Sequence, residues 1–217
     1  MKLSLAQNEL TSYVCHQFNN FFPDTAVRVD NTLLASVDRA LLSVQFMCRH
    51  VNNKYYFNGE YELFNHRNAD QYCIFLYWLS RMAFKEYDRI DIAEKAYLLN
   101  KLLHGIDVFY EVKMPRIFAV VHPLGTVLGR ASYSDFLLVY QRCGVGSNKG
   151  SQPKLGSHLT LHPGATVLGD SCVGNFCSVG ADSLLIDNTL SSKTTYVGRP
   201  GRFRLLDQED VTFWRRS

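Results

Sequence analysis

The chain has 217 residues, 47% hydrophobic and 20% charged, so it can bury a core and is not disordered as its main state. Lys plus Arg number 23 against 20 for Asp plus Glu, and this net +3 is scattered rather than gathered into a face that would grip nucleic acid. The opening MKLSLAQNEL has Asn8 and Glu9 where a signal peptide needs unbroken apolar residues. The longest apolar run, Tyr72 to Leu79, is far too short to span a membrane. Cys15, Cys48, Cys73, Cys143, Cys172 and Cys177 form no C-x-x-C pair. That spacing predicts reduced, mostly buried thiols in a cytoplasmic protein with no structural metal.

The first hundred residues carry helical spacing. A segment opened by Ser4 holds Leu5, Leu10, Val14, Phe18 and Phe21 and stops at Pro23. A second runs from Asn31 to His50, with Leu34, Val37, Leu41, Val44 and Met47 on one face. After a turn-rich stretch from Asn52 to Asn65, a third starts at the capping residue Asn68, and a fourth covers Ile90 to His104, closed by Gly105. The aromatic residues Tyr55, Tyr56, Phe57, Tyr61, Phe64, Tyr72, Phe75, Tyr77 and Trp78 exceed what a small bundle core needs. They predict a helical domain that drives assembly.

Beyond Pro115 the apolar step becomes six. Val121, Val127, Tyr133, Val139 and Val145 keep it, as do Leu155, Leu161, Val167, Val173, Val179 and Leu185, with Val197 in phase further on. A six-residue step fits a coil of three short strands with the aliphatic inward, and Gly156, Gly174, Gly180 and Gly198 would permit the corners. Stacked coils bury one another's faces in a single column. Between Val145 and Leu155 the phase slips by four, within the polar stretch Gly146 to Lys154, which predicts a loop thrown out from a corner.

Consecutive hexads such as LGSHLT-LHPGAT-VLGDSC-VGNFCS-VGADSL resemble the hexapeptide-repeat acyltransferases, most closely the serine acetyltransferases. The resemblance implies an α+β chain: an all-helical N-terminal domain (1–104) and a left-handed parallel β-helix (105–206), followed by a tail (207–217) whose own Phe213 and Trp214 suggest packing on a neighbour. The segment Val197 to Arg202, VGRPGR, is similar to the family's closing V/A-G-x-P-A-R, departing at Gly201. His122 to Gly129 matches the family's H-A-T-G-I-V-I-G, and Asp107 stands fifteen residues before His122, as the family's supporting aspartate stands before its catalytic histidine. The family's loop closing R-H-P-K-I has its counterpart in Ser151-Gln152-Pro153-Lys154-Leu155. Its aspartate before the histidine is Val121 here, and the loop Arg and His that engage the acceptor's carboxylate are Ser151 and Gln152.

These matches imply an acetyl-CoA-dependent O-acetyltransferase in which His122 takes the acceptor's hydroxyl proton and Asp107 steadies the imidazole. Counting 18 residues per coil and removing the four-residue slip stacks His122, Tyr140 and His162 in one column. His162 is therefore the second candidate base and Tyr140, with Ser151 and Gln152, a candidate acceptor contact. Lys149, Lys154, Arg199, Arg202 and Arg204 are candidates for the phosphates of CoA. The neutral Ser151 and Gln152 favour a sugar hydroxyl as acceptor, with L-serine as the alternative. The resemblance further implies a homotrimer or dimer of trimers, with the site between subunits. Two other classes compete: a zinc site on His122, His158 and His162, and a scaffold without turnover.

Overall fold

The computed structural model describes residues 1–208 and 212–215. It divides into two units, one of Met1–His104 together with the segment from Phe213, the other Gly105–Thr212.

In the first unit, β1 (Lys2–Leu3) pairs in parallel with β2 (Leu63–Phe64) beside four helices: α1 (Gln7–Phe21), α2 (Asn31–Cys48), α3 (Ala69–Tyr87) and α4 (Ile90–His104). Polar side chains start the helices. Asp30 Oδ1 accepts from Leu33 N at 2.8 Å, and Asn68 Oδ1 accepts from the N–H groups of Asp70 and Gln71. The predicted α4 matches; α1 begins three residues after the expected Ser4, and α2 ends two residues before His50. Helix α3 packs between α2 and α4, and Tyr72 to Ser80 is buried all round.

That burial overturns the aromatic argument for assembly. Tyr56, Phe64, Tyr72, Phe75, Tyr77 and Trp78 are each at most 7% exposed in the single chain, and Tyr55 alone of the nine is exposed, at 60%. Trp214 and Arg215 of the tail contact the helical unit of the same chain. Trp214 bridges Val51, Arg215 N donates to His50 O at 2.8 Å, and the Arg215 guanidinium lies 3.7 Å from the Phe57 ring centre. Asp207 belongs to a strand, and the rest of the expected tail, 209–211 and 216–217, lies outside the described residues.

The second unit is a parallel solenoid with three faces. The long face carries β3 (Phe118–Val120), β5 (Leu137–Val139), β8 (Leu159–Leu161), β11 (Cys177–Val179) and β14 (Thr194–Arg199). The middle face carries β4 (Val127–Leu128), β6 (Gly144–Gly146), β9 (Thr166–Leu168) and β12 (Leu184–Ile186). The short face carries β7 (Lys154–Leu155), β10 (Cys172–Val173) and β13 (Thr189–Leu190). A final strand, β15 (Arg202–Asp207), turns back antiparallel on β14. Gly201, at φ 80°, supplies the left-handed position of that turn after Pro200.

From Val139 to Leu185 the six-residue ladder is the core: Val139, Val145, Leu155, Leu161, Val167, Val173, Val179 and Leu185 are at most 5% exposed. At both ends the phase is one residue off. Val120 (1% exposed) and Leu128 (1%) point inward, while Val127 is 50% exposed. Tyr196 (1%), paired with Val179, takes the place expected of Val197. The glycines also act differently from expectation. Corners are turned chiefly by residues other than glycine at positive φ, among them Phe136, Arg142, His158, Phe176 and Asp182. Gly156 and Gly174 serve close coil spacing instead: a Cβ on Gly174 would stand 2.5 Å from Ser192 N.

Two buried groups in the helical unit have consequences for stability. Lys95 Nζ, 5% exposed as a residue, donates to Phe22 O, Asp24 Oδ1 (2.6 Å) and Thr25 O (2.7 Å), so its three donors are satisfied. His104, 9% exposed, sits 2.7 Å from Asn100 Oδ1, and burial pushes its pKa down to about 4. Between pH about 6.5 and 4 the unfolded chain therefore binds a proton that the folded one refuses. We expect the fold to lose up to about 3 kcal/mol as pH falls through that window and nothing above it. Urea unfolding of the wild type and His104→Gln across pH 4 to 7 measures this; the variant should show a shallower acid slope.

Candidate functional site

A parallel ladder fixes which residues stand above one another, and it is broken at one corner. Val120 pairs with Val139, 19 residues on, whereas Val127 pairs with Gly144, 17 on. The first coil thus holds two extra residues between the long and middle faces, and they are His122 and Pro123. The same insertion explains why Val120 and Leu128 are eight apart rather than six. His122 is exposed and sits at φ 53°, off the end of the β3 strand.

Thr126 ties the first coil to the second. Fully buried, it donates from Oγ1 to Tyr140 O at 3.0 Å and accepts from Cys143 N at 3.3 Å, and Cys143 Sγ makes the equivalent contact to His162 O one coil on. Sequence reading missed this residue, because its hydroxyl matters only once the register is known.

Asp107 lies in the coil before His122. It forms a parallel bridge with Val127, its N–H donating to Thr126 O and its carbonyl accepting from Leu128 N, both at 2.8 Å. The spacing of fifteen residues thus sets Asp107 at the head of the middle face, whose near edge is the His122 corner. The expected column of His122, Tyr140 and His162 does not form. Tyr140 N donates to Leu161 O and Val121 N to Val139 O, so Val121 stands over Tyr140 and His162. The insertion displaces His122 from that column. Tyr140 and His162 do stack, their rings parallel within 4° and 6.0 Å apart.

The expected loop is a tight hairpin. Asn148 and Ser151 exchange backbone bonds at 3.1 and 3.0 Å, with Lys149 (φ 49°) and Gly150 (φ 85°) in left-handed conformation between them. Asn148 Nδ2 ties it to Asp187 Oδ2 at 3.0 Å. Ser151 and Gln152 are exposed on its returning arm, at the corner between the middle and short faces. His122 and the hairpin therefore occupy opposite edges of the middle face, about 10 Å apart across a three-residue strand. One chain does not bring them together.

The expected phosphate-binding cations are likewise spread. Lys149 is at the hairpin tip, Lys154 lines an open groove of about 480 Å³ on the short face, and Arg199 pairs with Arg202 at the turn after β14. Arg204 follows on the exposed β15. The three histidines of the zinc reading diverge as well: His158 is stacked between Phe136 (4.2 Å) and Phe176 (4.3 Å) at the corner between short and long faces. Burial holds the imidazoles of His158 and His162 below their ordinary pKa. Among the described residues no group of three or more His, Cys, Asp or Glu side chains is placed to hold a metal ion. Burial also raises the thiols of Cys48, to about 12, and Cys143, to about 11, so both stay protonated near neutral pH.

No family model matches the chain. The serine acetyltransferase of Synechococcus elongatus is 31% identical over 109 residues, 48% of this chain and 44% of that protein. That of Helicobacter pylori is 30% identical over 112 residues, 49% of this chain and 65% of that protein. The matched stretch spans about half to two thirds of these relatives' length. Among solved structures, the serine acetyltransferase of Vibrio cholerae superposes with a TM-score of 0.72 at 15% identity, over 94% of this chain and 80% of that one. A serine acetyltransferase in complex with CoA gives 0.70 at 16%, over 92% and 84%. These neighbours bear out the resemblance and the fold: helices followed by a left-handed parallel β-helix.

The buried Thr126 hydroxyl, with its two partners in the next coil, is open to a direct test. Thr126→Val should leave Cys143 N and Tyr140 O without their partner and destabilise the protein by about 1–3 kcal/mol, while Thr126→Ser should recover most of it. Chemical denaturation of the three proteins decides; equal stability of wild type and the Val variant would refute the role.

Proposed function

We propose that this chain is an acetyl-CoA-dependent O-acetyltransferase with His122 as general base and L-serine as acceptor. The observation that carries the activity is the insertion at residues 122–123, which lifts an exposed imidazole out of an otherwise regular scaffold, next to the coil that holds Asp107. A thioester is already activated, so the catalytic demand falls on the hydroxyl. As its oxygen attacks the thioester carbonyl, the proton passes to the His122 imidazole. The C–S bond then breaks, and the CoA thiolate takes the proton back. The Asp107 carboxylate steadies the imidazolium between these steps, and a backbone N–H at a corner receives the oxyanion.

The acceptor is where the relatives shift the reading. Ser151 and Gln152 favour a sugar hydroxyl, but the similar proteins are named serine acetyltransferases, and this supports L-serine better. Since His122 and the hairpin lie on opposite edges of one face, a groove between two copies would set one chain's His122 beside the next chain's hairpin. That arrangement supports a trimer, with Lys149 and Lys154 on the hairpin side for the phosphates of CoA. No helix among the described residues is long and apolar enough to cross a membrane, which fits the cytoplasmic placement proposed here.

Thiol release from acetyl-CoA, measured with L-serine and with a panel of sugars, tests this reading. Wild type should turn over L-serine, and His122→Ala should lose about 10²–10⁴ in kcat with acetyl-CoA binding retained. Turnover on a sugar with serine silent would restore the sugar reading, and acetyl-CoA binding without any turnover would identify a scaffold.

A further inference from the structure

The hairpin leaves the ladder after Gly146 and rejoins it at Lys154, and its two arms are anchored differently. The returning arm is held by its backbone: Pro153 is buried, and its carbonyl accepts from Ser132 N at 2.9 Å. The outgoing arm depends on a side chain. Among the described residues, the 3.0 Å bond from Asn148 Nδ2 to Asp187 Oδ2 is the one side-chain hydrogen bond tying residues 147–152 to another coil.

Asp187 lies two coils away, and the coil between makes room for it. Leu168 pairs with both Gly146 and Ile186, so Gly169 stands between the hairpin's departure and Asp187. A Cβ on Gly169 would overlap Asp187 Oδ1 and stand 3.0 Å from Asn148 Cβ. The bare Cα of this glycine is therefore the opening through which the carboxylate crosses a coil. The other oxygen, Oδ1, accepts from Asp170 N at 2.8 Å, which sets the direction of the carboxylate. Each oxygen thus takes a donor from a different coil.

The bond matters because of what the hairpin carries. Lys149, Ser151 and Gln152 are exposed on it, and a polar excursion has little core of its own to choose one arrangement. We infer that Asp187 is the positioning residue of the hairpin. Its carboxylate, crossing Gly169, fixes Asn148 and so holds Lys149, Ser151 and Gln152 in one arrangement for substrate. The benefit to substrate rests on the acetyltransferase reading above; the hold on the outgoing arm does not.

The test compares wild type, Asp187→Ala, Asn148→Ala and the double variant by two readouts. The first is trypsin cleavage of the folded protein after Lys149, at the hairpin tip. Each single variant should be cut about fivefold faster or more, because cleavage follows the population of the open arm. The double variant should be cut no faster than Asp187→Ala, since both substitutions remove the same bond. The second readout is steady-state kinetics with acetyl-CoA and L-serine. Each single variant should raise KM about fivefold, with kcat within about twofold of wild type. Asn148→Ala leaves Asp187 bonded to Asp170, so it reports on the hairpin even where Asp187→Ala fails to fold. Unchanged cleavage, additive effects in the double variant, or a loss confined to kcat would overturn the inference, as would faster cleavage with KM unchanged. A wild type without turnover would overturn the acetyltransferase reading, and the cleavage rates would still decide the hold on the hairpin.

Discussion

The parallel backbone ladder between successive coils is the constraint on which the solenoid depends. Each strand of two or three residues is too short to stand alone, so it is stable only where its N–H and C=O groups meet the coil before and after. That requirement fixes the register, and the register places the aliphatic side chains in one inward column. Wherever a strand must stay in register, extra residues can be absorbed only at a corner. The chain has two such places, the His122–Pro123 insertion and the Ser147–Pro153 hairpin, and both carry the polar groups on which the proposed chemistry relies. A scaffold with little freedom in its faces thus concentrates variation at its edges.

The corners also decide the electrostatics. Stacked coils lie about 4.8 Å apart, so side chains at equivalent corner positions form columns down the outside. One column joins Arg142, Gly164 and Asp182, and the missing Cβ of Gly164 lets the two charged groups approach across an intervening coil. Another stacks Phe136, His158 and Phe176, and the desolvation that comes with this stacking depresses the histidine's pKa. The same residue type therefore has different chemistry on two edges of the prism: His158 is sandwiched between rings, while His122 is exposed at its insertion.

The helical unit is organised by a different economy. Nearly every face of α3 is buried, so the unit's polar groups must be satisfied internally. Lys95 is held by three oxygens and His104 by Asn100, which in turn donates from Nδ2 to Cys73 O at 3.0 Å. Such groups specify one packing and also set the conditions under which it fails, since a buried neutral imidazole resists the proton that acid supplies.

The sequence by itself determined the two periods, 3.6 and six, and with them four helices followed by a solenoid, because side-chain burial repeats with backbone geometry. It also located the hairpin, since a four-residue excess has to leave the ladder, and it picked out His122 and Asp107 through the resemblance. What it did not determine was phase. Val121, Val127 and Val197 satisfy the six-residue step, yet Val120, Leu128 and Tyr196 fill the column, because register is set by hydrogen bonds between coils and not by the spacing of valines. For the same reason counting could not show that His122 belongs to an insertion, that Thr126 bonds to the next coil, or that Arg142 lies in the coil below. Nor could it tell that the aromatic residues of the helical unit spend their surface on their own core. These are distances between residues far apart in the chain, and only the tertiary structure decides them.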